Sequence, residues 1–526
     1  MARSPHPSPH GNFGHAVLTL NAWRTPDAVA VDHRGTRHTY AAMNARVNQI
    51  AHGLLALGLQ PGEPVACLFT SGLDIAEFYL AMAKTGVISA ALNPFWDAEQ
   101  IEATAAASAP AAVVYDPAQA ATVAAFRERL PGVRHWIVSA GDGDGDGDAS
   151  VITRDQLVDG MSTDEPPLGA FDDDPMSIYY SSGTTGLAKG IVHSHRSNLA
   201  NAGDIWLDLP HAADSIAASS TMLWGAGFPA TLGSALFAGI KTVLQEDMGP
   251  ARFLEVVPAE RITHAITRPS FWTQLFDQPG QEDVDLSSLR CVLLGSEPIL
   301  PSVMERIVKR LPDCTMWSYF GTTEAPFSCF GRADTGEQPL NACGRARATV
   351  AVEVVNASDA RLVDETGEIR IAGPHLMSGY LGLDEATDRV LSDGWFYTGD
   401  LGVQDARGVL TVRGRADEAI LRDTQWVLPA EVEEALASVD GVREAGVVGV
   451  DDNDRVEILA AVKADRDDLD VDALRAAVRD QLGEHAAPKH IILVDELPHA
   501  EEAAGPGKLL RRVIRDQWWP LQKAGV

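Results

Sequence analysis

Tyr180-Ser181-Ser182-Gly183-Thr184-Thr185-Gly186-Leu187-Ala188-Lys189-Gly190 gathers four Ser/Thr hydroxyls, three glycines and a lysine between Ser181 and Gly190. Glycines let a backbone approach an anion with its N–H groups exposed, hydroxyls add donors and a lysine adds a point charge. The segment therefore reads as a phosphate-gripping loop. Ser177-Ile178-Tyr179-Tyr180 before it reads as a short buried strand, which places the loop at a strand end. No hydroxyl follows Lys189 and the glycines do not have GxxxxGK[ST] spacing, so this is not the common nucleotide-binding loop.

Around the loop, 526 residues with 45% hydrophobic and 22% charged composition describe a large soluble globular chain. A formal net charge of -31 opposes broad binding to nucleic acid or to an anionic membrane, so an anionic ligand has to be gripped locally. Cys67, Cys291, Cys314, Cys329 and Cys343 form no CxxC pair, which predicts neither zinc knuckle nor disulfide framework and fits a cytoplasmic protein. The first ten residues lack a hydrophobic signal core and read as a disordered start, and no apolar run reaches membrane-spanning length.

Helical spacing is expected from about Ala16 to Gly58, with Met43, Val47, Ile50, Ala51 and Leu54 on one face. Strand-like runs at 64–69, 87–92 and 112–115 then alternate with a helix around 75–84, and a second βα-rich stretch covers about 173–339. This alternation predicts an α/β fold with parallel sheet. Segments 350–371 and 409–412 predict a β-rich subdomain. After Arg413-Gly414-Arg415 the reading changes to a smaller, mobile α+β domain with helices at 429–439 and 471–482 and strands at 445–450, 458–462 and 490–494. The expected domains are 1–413 and 414–526, joined by one hinge. The Gly-Asp run 141–148 mimics the start of a calcium loop, but counting from Asp142 puts Thr153 where a bidentate glutamate is required, so it reads as a solvated loop.

Four further segments add chemistry. Gly295-Ser296-Glu297-Pro298-Ile299 follows the apolar run Val292-Leu293-Leu294. Ser318-Tyr319-Phe320-Gly321-Thr322-Thr323-Glu324 combines aromatics, hydroxyls and a carboxylate suited to magnesium. Gly394-Trp395-Phe396-Tyr397-Thr398-Gly399-Asp400 offers an acceptor for ribose hydroxyls, and Gly507-Lys508 places a lysine in the last domain. In this order and spacing, from about Thr25 to Arg515, the chain resembles the adenylate-forming superfamily of acyl-CoA ligases, nonribosomal adenylation domains and beetle luciferases. Leu92-Asn93-Pro94, Gly367-Glu368-Ile369, Ser378-Gly379-Tyr380-Leu381 and Pro429-Ala430-Glu431-Val432-Glu433 are similar to that family as well.

The resemblance implies an acid–thiol ligase of the acyl-CoA synthetase type. A carboxylate attacks the α-phosphate of Mg-ATP to give acyl-AMP, and the CoA thiol then displaces AMP. It implies that Ser181, Ser182, Gly183, Thr184, Thr185, Gly186 and Lys189 grip phosphates. Ser296, Glu297, Pro298, Tyr319, Phe320, Gly321, Thr322 and Thr323 would surround adenine and phosphate, with Phe320 stacking on the base. Asp400 would hold ribose, Arg415 would assist the ribose or phosphate, Glu324 would hold magnesium, and Lys508, with Glu324 and Thr185, would serve catalysis. Trp224, Gly295 and Thr323 would border the acid, and Asp417 would be the hinge about which the C-terminal domain swings between the two steps.

Three departures qualify this. Leu497-Pro498 is followed by eight residues, His499 to Pro506, before Gly507-Lys508, where the family usually has about four. The extra four could span roughly 13 Å at about 3.3–3.6 Å each, while a misplacement of about 1 Å can cost about a hundredfold. Glu501 and Glu502 add negative charge to that insert. Second, Leu421 stands where the family usually has lysine and Thr424 where it has glycine, which bears on the thiol tunnel, and Trp426 is a candidate tunnel wall. Third, Trp224 replaces a frequent histidine, and either shortens the acid pocket or packs against a bulky acid. Phe320 for tyrosine and Ala188 for proline are mild changes.

Three functions follow as expectations: a complete acyl-CoA ligase; a ligase confined to thioester formation from acyl-AMP supplied by a partner adenylating ligase; and a degraded nucleotide- or adenylate-binding regulatory protein. CoA is favoured over a carrier protein because no carrier domain follows Arg515.

Overall fold

The computed structural model describes residues 9–70, 72–139, 150–181, 188–220, 227–245, 249–297, 299, 301–422, 425–452, 455–465, 469–502 and 505–520. The Gly-Asp run, residues 182–187 with the expected phosphate-gripping Ser182, Gly183, Thr184, Thr185 and Gly186, Trp224, Pro298 and Thr424 lie outside them.

Two large mixed sheets form the bulk of the chain. The eight-stranded sheet runs, in spatial order, Gly379–Tyr380, Lys189–Ser194, Pro175–Ser181, Ile88–Ala91, Pro64–Leu68, Ala112–Tyr115, His135–Val138 and Val151–Thr153. Its six strands from Pro175–Ser181 onward are parallel, and Lys189–Ser194 and Gly379–Tyr380 are added antiparallel. The nine-stranded sheet has a parallel centre made of Thr315–Phe320, Cys291–Leu294, His264–Thr267, Ile216–Ser220, Lys241–Gln245 and Val29–His33. A five-stranded antiparallel sheet built on Thr366–Ala372 and Trp395–Gln404 is the predicted β-rich subdomain.

Between the two large sheets lies the helix Leu73–Thr85, in which every residue except Asp74 is buried. Its core cluster includes Val31 and Leu244 from one sheet and Val65, Ala91 and Tyr179 from the other, so the helix is covered on both sides. A helix in that position has no solvent face for polar side chains, yet it carries Lys84. The Lys84 ammonium donates to Asn44 Oδ1 and Asn48 Oδ1 at 2.7 Å each and to Glu165 at 2.9 Å. Burial pulls its pKa down to about 8, while Glu165 opposes that shift.

The expectation of continuous helical spacing from Ala16 to Gly58 is wrong. A helical segment, His15–Arg24, is followed by the hairpin Val29–His33/Thr36–Thr39, and the helix Tyr40–Ala56 begins only after it. The turn is Arg34-Gly35, with φ 54° and 79°, the left-handed pair that a tight two-residue hairpin requires. Thr39 then caps the helix by accepting the Ala42 N–H at 3.2 Å.

Past Arg415 the chain forms the strand pair Ile420–Arg422/Gln425–Val427, the helices Pro429–Ala437 and Val471–Leu482, and a three-stranded sheet of Val442–Asp452, Arg455–Ala464 and His490–Val494. A last hairpin pairs His499–Glu502 with Gly505–Leu509. All five cysteines are free and buried. Among the described residues, no helix is long and apolar enough to cross a membrane.

Removing one partner of a buried charge pair leaves the other uncompensated, at a cost of about 3–5 kcal/mol. Lys84→Ala is expected to lose stability of that order in urea denaturation, and an unchanged midpoint would show that the Asn44–Asn48–Glu165 cluster tolerates an unpaired carboxylate.

Candidate active site

Ser181 and Lys189 are backbone partners across the antiparallel pair Pro175–Ser181/Lys189–Ser194, so the glycine-rich segment bridges two adjacent strand ends. Gly379–Tyr380 lies on the other side of Lys189–Ser194, with Tyr380 opposite Ile191. This register sets the Lys189 Nζ 5.0 Å from the Tyr380 ring centroid, within cation–π reach. The Tyr380 hydroxyl donates to Glu324 Oε1 at 2.9 Å. Burial and the Glu324 charge raise the Tyr380 pKa, so it remains a donor. Lys189 and Glu324, far apart in sequence, thus meet through Tyr380, a residue the sequence reading quoted as family-like without giving it a role.

Magnesium takes oxygen ligands, commonly one or two carboxylates with substrate phosphates completing the shell. Glu324 fits that requirement, because Tyr380 engages one carboxylate oxygen and orients the other. Among the described residues no cluster of three metal-ligating side chains occurs, so phosphate oxygens would have to supply the remaining ligands.

The segment carrying Glu324 is braced from behind. His193 Nε2 lies 2.8 Å from the Thr323 carbonyl, and Nδ1 lies 3.1 Å from Ser197 Oγ. Ser328 N donates to Phe320 O at 2.7 Å, Ser328 Oγ meets His375 Nε2 at 2.9 Å, and Met377 N donates to Glu324 O at 2.8 Å. Thr322 Oγ1 accepts the Ala325 N–H at 3.2 Å, closing the turn. Gly321 is required there, since a Cβ would come within 2.3 Å of Phe327 N. Burial depresses His193 to about 4 and His375 to about 3, so both are neutral near pH 7.

At the end of the neighbouring strand, Gly295 lies beneath the Tyr319 ring; a Cβ would meet it at 2.6 Å. Ser296 has φ 67°, and its Oγ is 2.7 Å from the Tyr319 hydroxyl. The Glu297 carboxylate accepts Ser270 N at 3.0 Å and Ser270 Oγ at 2.9 Å, at the start of the helix Pro269–Phe276, with Arg268 at 3.7 Å. Phe320, on the opposite face of the strand from Tyr319, is only partly buried, at the margin of the core of the five-stranded sheet.

Asp400 lies on the inward face of the alternating strand Trp395–Gln404. Its backbone partner is Arg415, whose Nη1 reaches Asp400 Oδ1 at 3.3 Å and the Thr398 carbonyl at 2.8 Å. Arg415 Nε also donates to Asp417 at 3.1 Å. The expected ribose and hinge residues are therefore linked by one guanidinium, which its two carboxylates hold more firmly charged than usual, against the opposing effect of burial.

Lys508 lies in the last hairpin, one residue before Leu509, which pairs with His499 at the hairpin base. His499 meets Glu444 at 2.8 Å, and that bond, with support from Glu297, raises its pKa. Arg443 bridges to Asp277 at 2.8 Å. The other hairpin faces water, with Leu421 44% and Trp426 64% exposed.

Two outcomes follow. Tyr380→Phe removes a hydrogen bond to a charged group, of about 1.5–3 kcal/mol; ATP-dependent turnover should fall about ten- to a hundredfold with the fold intact by circular dichroism, and undiminished turnover would remove Tyr380 from the site. His193 and His375 exclude protons that the unfolded chain binds below pH 6.5. Stability is therefore full above pH 6.5 and falls as the pH drops toward 4. Denaturation midpoints followed over that window should show the decline, shallower in His193→Gln; identical slopes would contradict the assignment.

Comparison with known proteins matches both halves of the chain. The model for AMP-binding enzyme covers residues 18–381, and that for the AMP-binding enzyme C-terminal domain covers 431–503. Feruloyl-CoA synthase from an Amycolatopsis species is 31% identical over 500 residues, 93% of this chain and 96% of its own. A long-chain-fatty-acid–CoA ligase of Mycobacterium tuberculosis is 28% identical over 92% of this chain and 93% of its own. Among solved structures, the amide bond synthetase McbA from Marinactinospora thermotolerans superposes with a TM-score of 0.85 at 28% identity, covering 96% of this chain and 99% of that one. The two matched models, the near-full-length relatives and a shared architecture make this chain a member of the AMP-binding enzymes, the adenylate-forming superfamily.

Proposed function

We propose that the protein is a complete acyl-CoA ligase that both forms and consumes acyl-AMP. In the first step a carboxylate oxygen bonds to the α-phosphorus of ATP, the bond to the bridging oxygen breaks, and pyrophosphate leaves. In the second, the sulfur of CoA bonds to the acyl carbon, the bond to AMP oxygen breaks, and the thiol proton passes to solvent. Lys189 and the hydroxyls from Ser181 to Thr185 hold the β- and γ-phosphates, and Asp400 accepts from the ribose hydroxyls. Ser296 and Phe320 flank adenine. Magnesium, when bound through Glu324, neutralises phosphate charge. Lys508 stabilises charge as it grows between carboxylate and α-phosphate.

The observation that carries this reading is the path of the insert before Lys508. Leu510 N donates to Pro498 O at 2.7 Å, and His499 pairs with Leu509, so the chain closes on itself directly around the lysine. Glu501 and Glu502 pair with Pro506 and Gly505 farther along the hairpin. The added length therefore extends the hairpin tip and leaves the residues flanking Lys508 tied at the base. That supports intact adenylation over the reading in which only acyl-AMP supplied from elsewhere is used. The names of the relatives support an acid–thiol ligase without selecting the acid.

Acid, Mg-ATP and CoA together should yield acyl-CoA, AMP and pyrophosphate. Lys508→Ala should slow acyl-AMP formation by about a hundredfold or more while sparing CoA transfer from synthetic acyl-AMP. Deleting residues 501–504 restores the shorter spacing and should leave adenylation largely unchanged. Thioester formation from acyl-AMP alone, with none from acid and ATP, would instead establish the half-reaction enzyme.

A further inference from the structure

The helix His195–Asp208 carries two carboxylates, Asp204 and Asp208, on the stripe that also holds Ala200. Like charges four residues apart repel on a helix, and here a cation lies against them. Arg347, whose side chain is fully buried, donates from Nη2 to the Ala200 carbonyl at 3.0 Å. The same nitrogen lies 3.2 Å from Asp204 Oδ2, which also accepts the Thr349 hydroxyl. Burial pulls the Arg347 pKa below its usual value, and the charges of Asp204 and Asp208 oppose that shift. A charge taken out of water needs its remaining protons satisfied as well, and for this guanidinium the further acceptor comes from the loop that bears Glu324.

That acceptor is the Phe327 carbonyl, 2.9 Å from Arg347 Nη1, and the Arg347 N–H donates to Ser328 O at 3.1 Å. Phe327 and Ser328 end the loop that leaves the strand Thr315–Phe320, passes through Glu324 and closes on Phe320 O. Phe327 has φ 52°, a left-handed conformation that a bulky side chain keeps only where its surroundings impose it. Its ring is stacked on Tyr319 with centroids 4.5 Å apart, and its N–H passes too close to Gly321 for any Cβ there. Arg347 on the carbonyl is the charged member of this set, and it connects the strained residue to the helix behind.

We propose that Arg347 is a positioning residue for the ATP-dependent step: it ties the end of the 320–328 loop to the helix His195–Asp208 and so fixes where Glu324 presents its carboxylate to magnesium. The proposal rests on the reading above in which Glu324 holds that ion. Buried behind the loop, Arg347 acts through the Phe327 and Ser328 carbonyls. The fixed fork of a guanidinium holds the Phe327 carbonyl and Asp204 at once, whereas a lysine offers a point charge on a flexible stem.

The test uses the full-length protein and measures ATP affinity by titration calorimetry, with magnesium and with EDTA, alongside melting temperature and acyl-AMP formation. Magnesium should tighten ATP binding to the wild type, and Glu324→Gln should remove most of that gain. Arg347→Lys should melt closer to the wild type than Arg347→Met, because its charge stays beside Asp204. Both should lose about tenfold or more of the magnesium-dependent gain, the equivalent of one hydrogen bond to a charged group, with affinity in EDTA unchanged. Should Arg347→Met fail to fold, Asp204→Asn serves: it loosens the guanidinium's anchor and should show the same loss in smaller degree. A folded Arg347→Lys protein that keeps the full magnesium gain would overturn the proposal. So would an equal loss of affinity with and without magnesium, which is what general damage to the fold produces. An undiminished gain in Glu324→Gln would overturn the placing of magnesium and the proposal with it. A wild type that shows the gain, loses it in the Arg347 variants and forms no acyl-AMP with any acid would overturn the ligase reading while supporting the role of Arg347.

Discussion

The Tyr380 hydroxyl on Glu324, with Lys189 against the same ring, is the contact around which the rest of the site is arranged. Each of the three residues belongs to a different part of the chain. Lys189 starts a strand of the eight-stranded sheet, Glu324 follows a strand of the nine-stranded sheet, and Tyr380 comes from the segment preceding the long strand that bears Asp400. A cation for phosphate and a carboxylate for magnesium must sit close enough to act on one ligand but must not neutralise each other in a direct ion pair. An interposed phenol meets both demands, offering its face to the ammonium and its hydroxyl to the carboxylate.

The electrostatics of the whole chain make such local devices necessary. With a net charge of -31, the long-range field repels a nucleoside triphosphate, and binding has to be won at short range. On the buried side of the site His193 and His375 are neutral and serve as hydrogen-bonding braces for the Phe320–Glu324 segment, beside the buried guanidinium of Arg347. Arg415 carries its charge between Asp400 and Asp417, so the residues expected to bind ribose and to flex share one partner. Hydroxyl donors arriving at Asp400 would compete with that guanidinium for the carboxylate and so bear on the contact between Arg415 and Asp417.

Much of this was legible in the sequence because local pattern and tertiary role agreed. The strand Ala112–Tyr115, the helix Val471–Leu482 and the strand His490–Val494 have the expected bounds, since their apolar periods match the faces they bury. The hairpin at 29–39 was hidden because apolar residues on both sides continue at helical steps; Arg34-Gly35 was the only local sign of a turn. Tyr380 went unassigned because its partners lie 56 and 191 residues away, a juxtaposition that strand order creates and no local spacing encodes. Glu297 illustrates the converse. Its motif position suggests nucleotide contact, while the structure has its carboxylate accept from Ser270, so it anchors the 295–297 turn to the start of the helix Pro269–Phe276. The insert at 499–506 could be counted in the sequence, but whether it displaced Lys508 depended on pairing between residues on either side of it.

Pairing at the hairpin base ties the residues flanking Lys508, the basis of the proposal that this chain carries out its own adenylation, and the hairpin with Leu421 and Trp426 is exposed to solvent. Carboxylate-dependent exchange of labelled pyrophosphate into ATP, run without any thiol, tests that claim most directly because it reports acyl-AMP formation and its reversal alone. The account predicts exchange that requires both the acid and Lys508. No exchange from a protein that still converts synthetic acyl-AMP and CoA to thioester would contradict it.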